Sequence, residues 1–251
     1  MSLLDDMQRG LVAQTWAVRA VAERQATRRF ERLSVDLLEH HATDQVVALA
    51  REAVDDERRH ALRCDDVAAH FGWDPSAALL EQEATRLAPD HLNPRDALLY
   101  EMVAFCCITE TINSSMLLET LGFARSPIVC DAVREILKDE VSHSRLGWAH
   151  LAAERLQGRG EFLSKELVGM FKEIGLSLIF DAEDRARDAD VLAQYGELSF
   201  ERRTEIFKAV VSDVILPGFD QAGLDTGSVR HWLQPVLADD SLFAHQEGSI
   251  G

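Results

Sequence analysis

Apolar residues recur at spacings of three and four along almost the whole chain, and nowhere do they alternate with polar ones. The first spacing marks one face of a helix, whereas alternation would mark a strand. The sequence therefore predicts an all-α protein. A first helix is expected from about Leu3 to His40, with a break near Gly10. Thr43 is placed to cap a second, which ends at Gly72 just ahead of Trp73-Asp74-Pro75. A short helix is expected near Ala77 to Arg86. Asn93-Pro94 joins a capping residue to a first-turn proline and opens a third long helix, running to Leu121 and stopped by Gly122. Ser126-Pro127 repeats that signal for a fourth, reaching about Leu156. Beyond Gly160 the periodicity continues over Phe162 to about Asp188, Phe200 to about Ile215, and Ser228 to Leu237, followed by a loose tail from Ser241 to Gly251. Short connections make the four long helices two antiparallel hairpins. The expected architecture is a four-helix bundle over residues 1–157, with a C-terminal helical extension, 158–251, packed on it within the same domain.

Several polar residues interrupt the apolar stripes. Asp56-Glu57-Arg58-Arg59-His60 and Asp139-Glu140-Val141-Ser142-His143 both read D-E-x-x-H. A glutamate and a histidine three residues apart share one helix face, so each motif offers a carboxylate oxygen and an imidazole nitrogen to one point. Glu57 is lined by Ala50, Ala53, Val54 and Ala61, and Glu140 by Val133, Ile136 and Leu137. Glu110 lies among Val103, Cys106, Cys107 and Leu117, and Glu23 in a row with Trp16, Ala20, Ala26 and Phe30. Glu31 is the rival to Glu23, but its neighbours include Arg28 and Ser34. Counted from the loop that joins their helices, Glu110 before Gly122 and Glu140 after Ser126 stand about 18 and 21 Å away. For Glu23 and Glu57 the match is looser, by about 6 Å or one helical turn. Four buried glutamates demand positive charge, and two divalent ions with two imidazoles satisfy that demand. The mixed oxygen and nitrogen set suits iron or manganese. The preceding aspartates are placed either to hold the outer ring nitrogens, Asp139 on His60 and Asp56 on His143, or simply to face solvent. A lone E-x-x-H is a weak signal, and surface ion pairs in a plain helical bundle are the alternative reading.

Composition narrows the picture. The net charge of −17, from 26 basic and 43 acidic residues, opposes nucleic acid or an anionic membrane as partner. Arg24, Arg28, Arg29 and Arg32 read as a solvated helix face, as does the acidic run Asp181-Ala182-Glu183-Asp184. Cys64, Cys106, Cys107 and Cys130 form no C-x-x-C pair and read as reduced core residues. The acidic start of the chain is unlike a secretory signal, and no apolar run is long enough to span a membrane. A cytoplasmic protein is the expectation. His150, one heptad beyond His143, is expected to be a core or interface histidine.

The set Glu23, Glu57-x-x-His60, Glu110 and Glu140-x-x-His143 resembles the ferritin-like di-iron carboxylate superfamily over roughly residues 10–155. The resemblance implies a ferritin-like bundle with two iron ions, manganese being the alternative at either position. Glu57 and Glu140 would bridge the ions, Glu23 and Glu110 would be terminal, and His60 and His143 would give one nitrogen to each. The additional C-terminal helices set the chain apart from ferritins proper, and it lacks the four-cysteine module of rubrerythrin-like proteins. Tyr100 is too far along its helix from Glu110 to act as the radical tyrosine of a ribonucleotide reductase. The charge disfavours a tRNA hydroxylase. Ile136 stands where arylamine N-oxygenases of the superfamily carry a further histidine. What the resemblance leaves is an oxidoreductase that uses O₂ and an external electron donor to oxidise a small organic substrate, a homodimer being compatible with it. Asn113 and Ser114, one turn past Glu110, would face the bound oxygen or simply pack between helices. Iron oxidation or peroxide scavenging without an organic substrate is the alternative, and a metal-free interaction module a third.

Overall fold

The structure is a computed structural model describing residues 4–74, 85–172 and 188–238, and every regular element in them is helical. Helix α1 (Asp6–Glu39) runs through Gly10 without a break. The Asp5 carboxylate accepts the Gln8 N–H, and the Gln8 side chain accepts that of Asp5, so two otherwise orphaned donors are satisfied. The Thr43 hydroxyl accepts the Val46 N–H to start α2 (Asp44–His70), and Gly72, at φ +98°, turns the chain away after it. Asn93 caps α3 (Pro94–Glu101), which passes without a loop into a π-helical segment, Met102–Thr109, and then α4 (Glu110–Phe123). Helix α5 (Pro127–Leu156) completes the four long rods. Ser126 precedes it without a side-chain capping bond, so proline at the first turn is the start signal that acts here.

After α5 come α6 (Leu163–Met170), α7 (Ala189–Ala193) and α8 (Phe200–Val210). A second π segment, Val211–Ile215, leads into α9 (Leu216–Gln221), and α10 (Gly227–Ala238) follows. Helix α7 has no counterpart in the sequence reading, and the helix expected to stop at about Ile215 continues without a break through the second π segment into α9, with Pro217 near its start. The short helix expected at Ala77 to Arg86 falls mostly outside the described residues, and Thr85 and Arg86 are not helical. The acidic run at 181–184 and the C-terminal tail also lie outside them.

Helix α1 packs along α2, α2 along α5, and α5 along both α4 and the first π segment. The ring closes where α1 meets α3 and the first π segment: Arg29, expected on a solvated face, is half-buried and pairs with Glu101 at 2.8 Å, and Phe30 meets Phe105 at 5.1 Å between ring centres. Two apolar layers fill the interior. One holds Val12, Trp16, Cys64, Leu117, Val133 and Ile136; the other holds Phe30, Leu33, Val46, Met102, Cys106 and Leu146. The C-terminal helices share a third cluster with the opposite side of the α3–α4 rod, where Tyr100, Ala104 and Ile108 meet Leu167, Phe207 and Phe219. All four cysteines are free, and Cys130 is only half-buried. No helix among the described residues is long and apolar enough to cross a membrane.

At one point the rods nearly touch. A Cβ added to Gly147 of α5 would lie 2.5 Å from the Cβ of Cys106 and 3.0 Å from backbone atoms of Cys106 and Cys107. Gly147 thus sets the separation of α5 from the π segment, one turn from His143 on one side and one turn from Glu110 on the other.

Candidate metal centre

Between the two apolar layers, the four rods bring six ionisable side chains together. Glu23 comes from α1, Glu57 and His60 from α2, Glu110 from the start of α4, and Glu140 and His143 from α5. Glu23, Glu57, His60 and Glu140 form one group and Glu110, Glu140 and His143 a second; within each, the donor atoms lie within 4.8 Å of one another. These buried glutamate and histidine groups are capable of holding metal ions.

The looser level match expected for α1 has a simple geometric resolution. Glu23 stands as far before Glu39, the last residue of α1, as His60 stands after Asp44, the first of α2. The carboxylate of α1 is therefore level with the histidine of α2 rather than with Glu57, and Glu23 Oε2 approaches His60 Nδ1 at 3.9 Å. Glu31, the rival, is exposed and paired with Arg58 at 2.5 Å. On the second hairpin, Glu110 stands as far before Phe123, the end of α4, as Glu140 stands after Pro127, the start of α5, so those two are level.

Glu57 and Glu140 occupy the middle. Glu57 Oε1 is 3.0 Å from His143 Nδ1, and its Oε2 is 3.5 Å from His60 Nδ1. Glu140 Oε2 is 3.3 Å from His143 Nδ1, and its Oε1 is 3.8 Å from His60 Nδ1. Each central carboxylate thus turns one oxygen toward each imidazole. Despite this proximity, both oxygens of Glu57 and the Nδ1 of His60 are buried without a hydrogen bond. Polar atoms buried in that way carry a desolvation cost that a cation between them would remove. The orphaned atoms and the hard, mixed donor set fit divalent metal ions.

The outward ring nitrogens are held as the repeat of the motif suggests. His60 Nε2 contacts Asp139 Oδ2 at 3.3 Å, and His143 Nε2 contacts Asp56 Oδ2 at 3.2 Å. An imidazole donating from Nε2 to a carboxylate presents its Nδ1 lone pair inward. The sequence reading missed Arg59. Its Nη2 donates to Asp56 at 2.6 Å and to Asp139 at 3.1 Å, so one guanidinium joins the supports of both histidines. The only sequence signal was its position, three residues after Asp56 on the same helix face. Asn113 donates its amide to Glu140 Oε1 at 3.2 Å, and Ser114 Oγ is buried without a hydrogen-bond partner. Phe30 packs on His143, with ring centres 5.0 Å apart.

The protonation pattern follows from this packing. Burial, reinforced by the charges of Glu57 and Glu140, raises Glu23 well above the usual carboxyl range. Burial and then Glu140 do the same for Glu110. Burial also works to raise Glu57, but its contacts with His143 and His60 outweigh it and hold that carboxyl at about 2. Both imidazoles are raised against the opposing effect of burial, His60 chiefly by Glu57 and His143 chiefly by Asp56. Glu23 is the most accessible of the set, with 12% of its side chain exposed.

Comparison of the chain with family models, with curated proteins and with solved structures gives no match.

Proposed function

We propose that this protein is a non-haem di-iron oxidoreductase built on a ferritin-like four-helix bundle. The observation that carries the reading is the central pair of carboxylates, Glu57 and Glu140, each with one oxygen toward His60 Nδ1 and the other toward His143 Nδ1. A carboxylate in that position is suited to bridging two ions, with Glu23 and His60 completing one side and Glu110 and His143 the other. A reduced iron pair bound there supplies O₂ activation, and the reaction best supported is oxidation of a small organic molecule with electrons from an external donor.

The chain's own residues have separable roles. Asp56, Asp139 and Arg59 hold the two imidazoles in the tautomer that presents Nδ1 inward. Phe30, Phe105 and the apolar layers on either side keep bulk water from the carboxylates, which strengthens every charge interaction there. Glu23 offers the route by which protons exchange with solvent. The C-terminal helices stiffen the α3–α4 rod from outside, where Glu110 is carried.

The test begins with metal content. Purified after expression with ample iron, the protein should contain close to two irons per chain. Glu57→Ala and Glu140→Ala should lose that binding while keeping the helical circular dichroism spectrum. An iron-free wild-type protein refutes the proposal. O₂ consumption by the reduced protein that is fully accounted for by iron oxidation, with no organic product across a substrate panel, assigns it instead to iron oxidation or peroxide scavenging.

A further inference from the structure

The arginines Arg24, Arg28, Arg29 and Arg32 of α1 do not form one solvated face. Arg24 pairs with Asp65 at 2.9 Å and Arg29 with Glu101 at 2.8 Å. Arg28 and Arg32, one turn apart, line an open groove of about 440 Å³ between α1 and the segment that precedes α3, with Glu31, Val35, Asp36 and Arg86. That volume suits a small organic ligand. No side chain of the metal centre is among the described residues that line it.

The charges around the groove are unevenly matched. Glu31 is engaged at 2.5 Å by Arg58, which lies outside the groove, and Asp36 is engaged by Arg86 at 3.2 Å. Arg32 is half-buried, and its Nη2 is buried without a hydrogen-bond partner. An N–H of a charged group buried without an acceptor carries a desolvation cost, and an anion arriving through the groove would remove it. Burial, then the charge of Arg29 with that of Arg86 adding to it, lowers Arg32 from the usual guanidinium range, while Glu101 and Asp36 oppose the shift. On a protein of net charge −17, this cation is incompletely neutralised.

Two features choose the anion. A guanidinium fork matches a carboxylate through paired N–H bonds, and the carboxylates already in the groove oppose a multiply charged ligand. Val35, 54% exposed and three residues from Arg32, adds an apolar wall suited to hydrocarbon. We infer that the groove binds a small organic acid with one carboxylate, held by Arg32 with Arg28 beside it, its hydrocarbon part resting on Val35. The inference does not depend on the di-iron reading.

Ligand-observed NMR titration of the full-length protein with acetate, hexanoate, hexylamine and inorganic phosphate tests it, both as purified and after metal removal by a chelator. Hexanoate should bind saturably in both states, about tenfold more tightly than acetate because of the added hydrocarbon contact. Phosphate should bind more weakly than hexanoate, and hexylamine not at all. Arg32→Gln should weaken hexanoate on the order of tenfold or more with metal content and circular dichroism as in wild type. Arg32→Lys, lacking the fork, should recover only part of the loss, and Val35→Ser should narrow the gap between hexanoate and acetate. Absence of saturable hexanoate binding, unchanged binding by Arg32→Gln, equal binding of hexylamine, or tighter binding of phosphate overturns the proposal. Hexanoate binding that vanishes with the metal belongs to the metal centre and overturns it as well, leaving the di-iron reading in place.

Discussion

Gly147→Ala gives a stringent test of how the site is built, because local and tertiary effects have opposite signs. In a helix interior, replacing glycine by alanine ordinarily stabilises by about 1 kcal/mol. At Gly147 the new Cβ would stand 2.5 Å from Cys106 Cβ and 3.0 Å from the backbone carbon of Cys106 and nitrogen of Cys107. Ordinary carbon contacts begin near about 3.5 Å, so the shortfall is about 1 Å, and the obstructing atoms are backbone or fixed to it. No rotamer change relieves the clash, and α5 must move off the π segment. Overpacking of that kind costs about 3 kcal/mol, at the upper end of the usual range. The net expectation is destabilisation by about 2 kcal/mol after the propensity gain. Gly10 of α1 is the matched control: a Cβ there meets nothing within 4 Å, so Gly10→Ala should stabilise. Urea unfolding of the two variants against wild type reads the signs. Metal titration reads the site, since moving α5 by about 1 Å exceeds the roughly 0.5 Å tolerance of a built constellation and should weaken the His143 side first. A Gly147→Ala protein as stable as Gly10→Ala, with unaltered ion binding, would refute the claim that this contact sets the helix separation.

Three further outcomes are expected. Arg59→Ala releases both aspartates and should weaken ion binding about 10- to 100-fold at unchanged fold, measured by competition with a chelator; Arg59→Lys, with a single ammonium, should recover only part of it. His150 is 5% exposed, and burial, aided by Arg95 and Arg159 and opposed by Glu154, lowers its imidazole to about 4. Its depressed value means that the unfolded chain takes up the proton first, near pH 6.5, so its contribution is intact above that pH and is lost as pH falls toward 4. Relative to His150→Gln, wild type should lose about 2 kcal/mol between pH 7.5 and 5 in urea unfolding, and parallel pH profiles would contradict that. Glu101 is buried and accepts the N–H groups of Leu87 and Ala88 as well as the Arg29 guanidinium. Glu101→Ala should destabilise by about 3 kcal/mol through the stranded Arg29 charge, and adding Arg29→Ala should recover part of the loss.

Helix type, most helix ends and the six converging side chains were legible in the sequence. They depend on interactions within one turn: Thr43 with Val46, Asn93 with Asp96, and a glutamate three residues before a histidine. The level of Glu110 could be counted from Gly122 because every residue between them is α-helical. Upstream of Glu110 the same count would have failed. The π segment bonds the Glu110 N–H to Phe105 O, five residues back, and each extra residue per turn rotates what precedes it by about 100°. Met102 to Ile108 is apolar at every position, so no periodicity marks a register, and packing against Gly147 and the C-terminal helices decided it. The same division holds at the site. The sequence determined which groups share a helix face, because that is fixed by the pitch of the α-helix. Only the tertiary structure decided that Glu23 is level with His60, that Arg59 serves two aspartates from different helices, and that Asn113 holds Glu140, because those contacts depend on distances between rods that no local rule encodes.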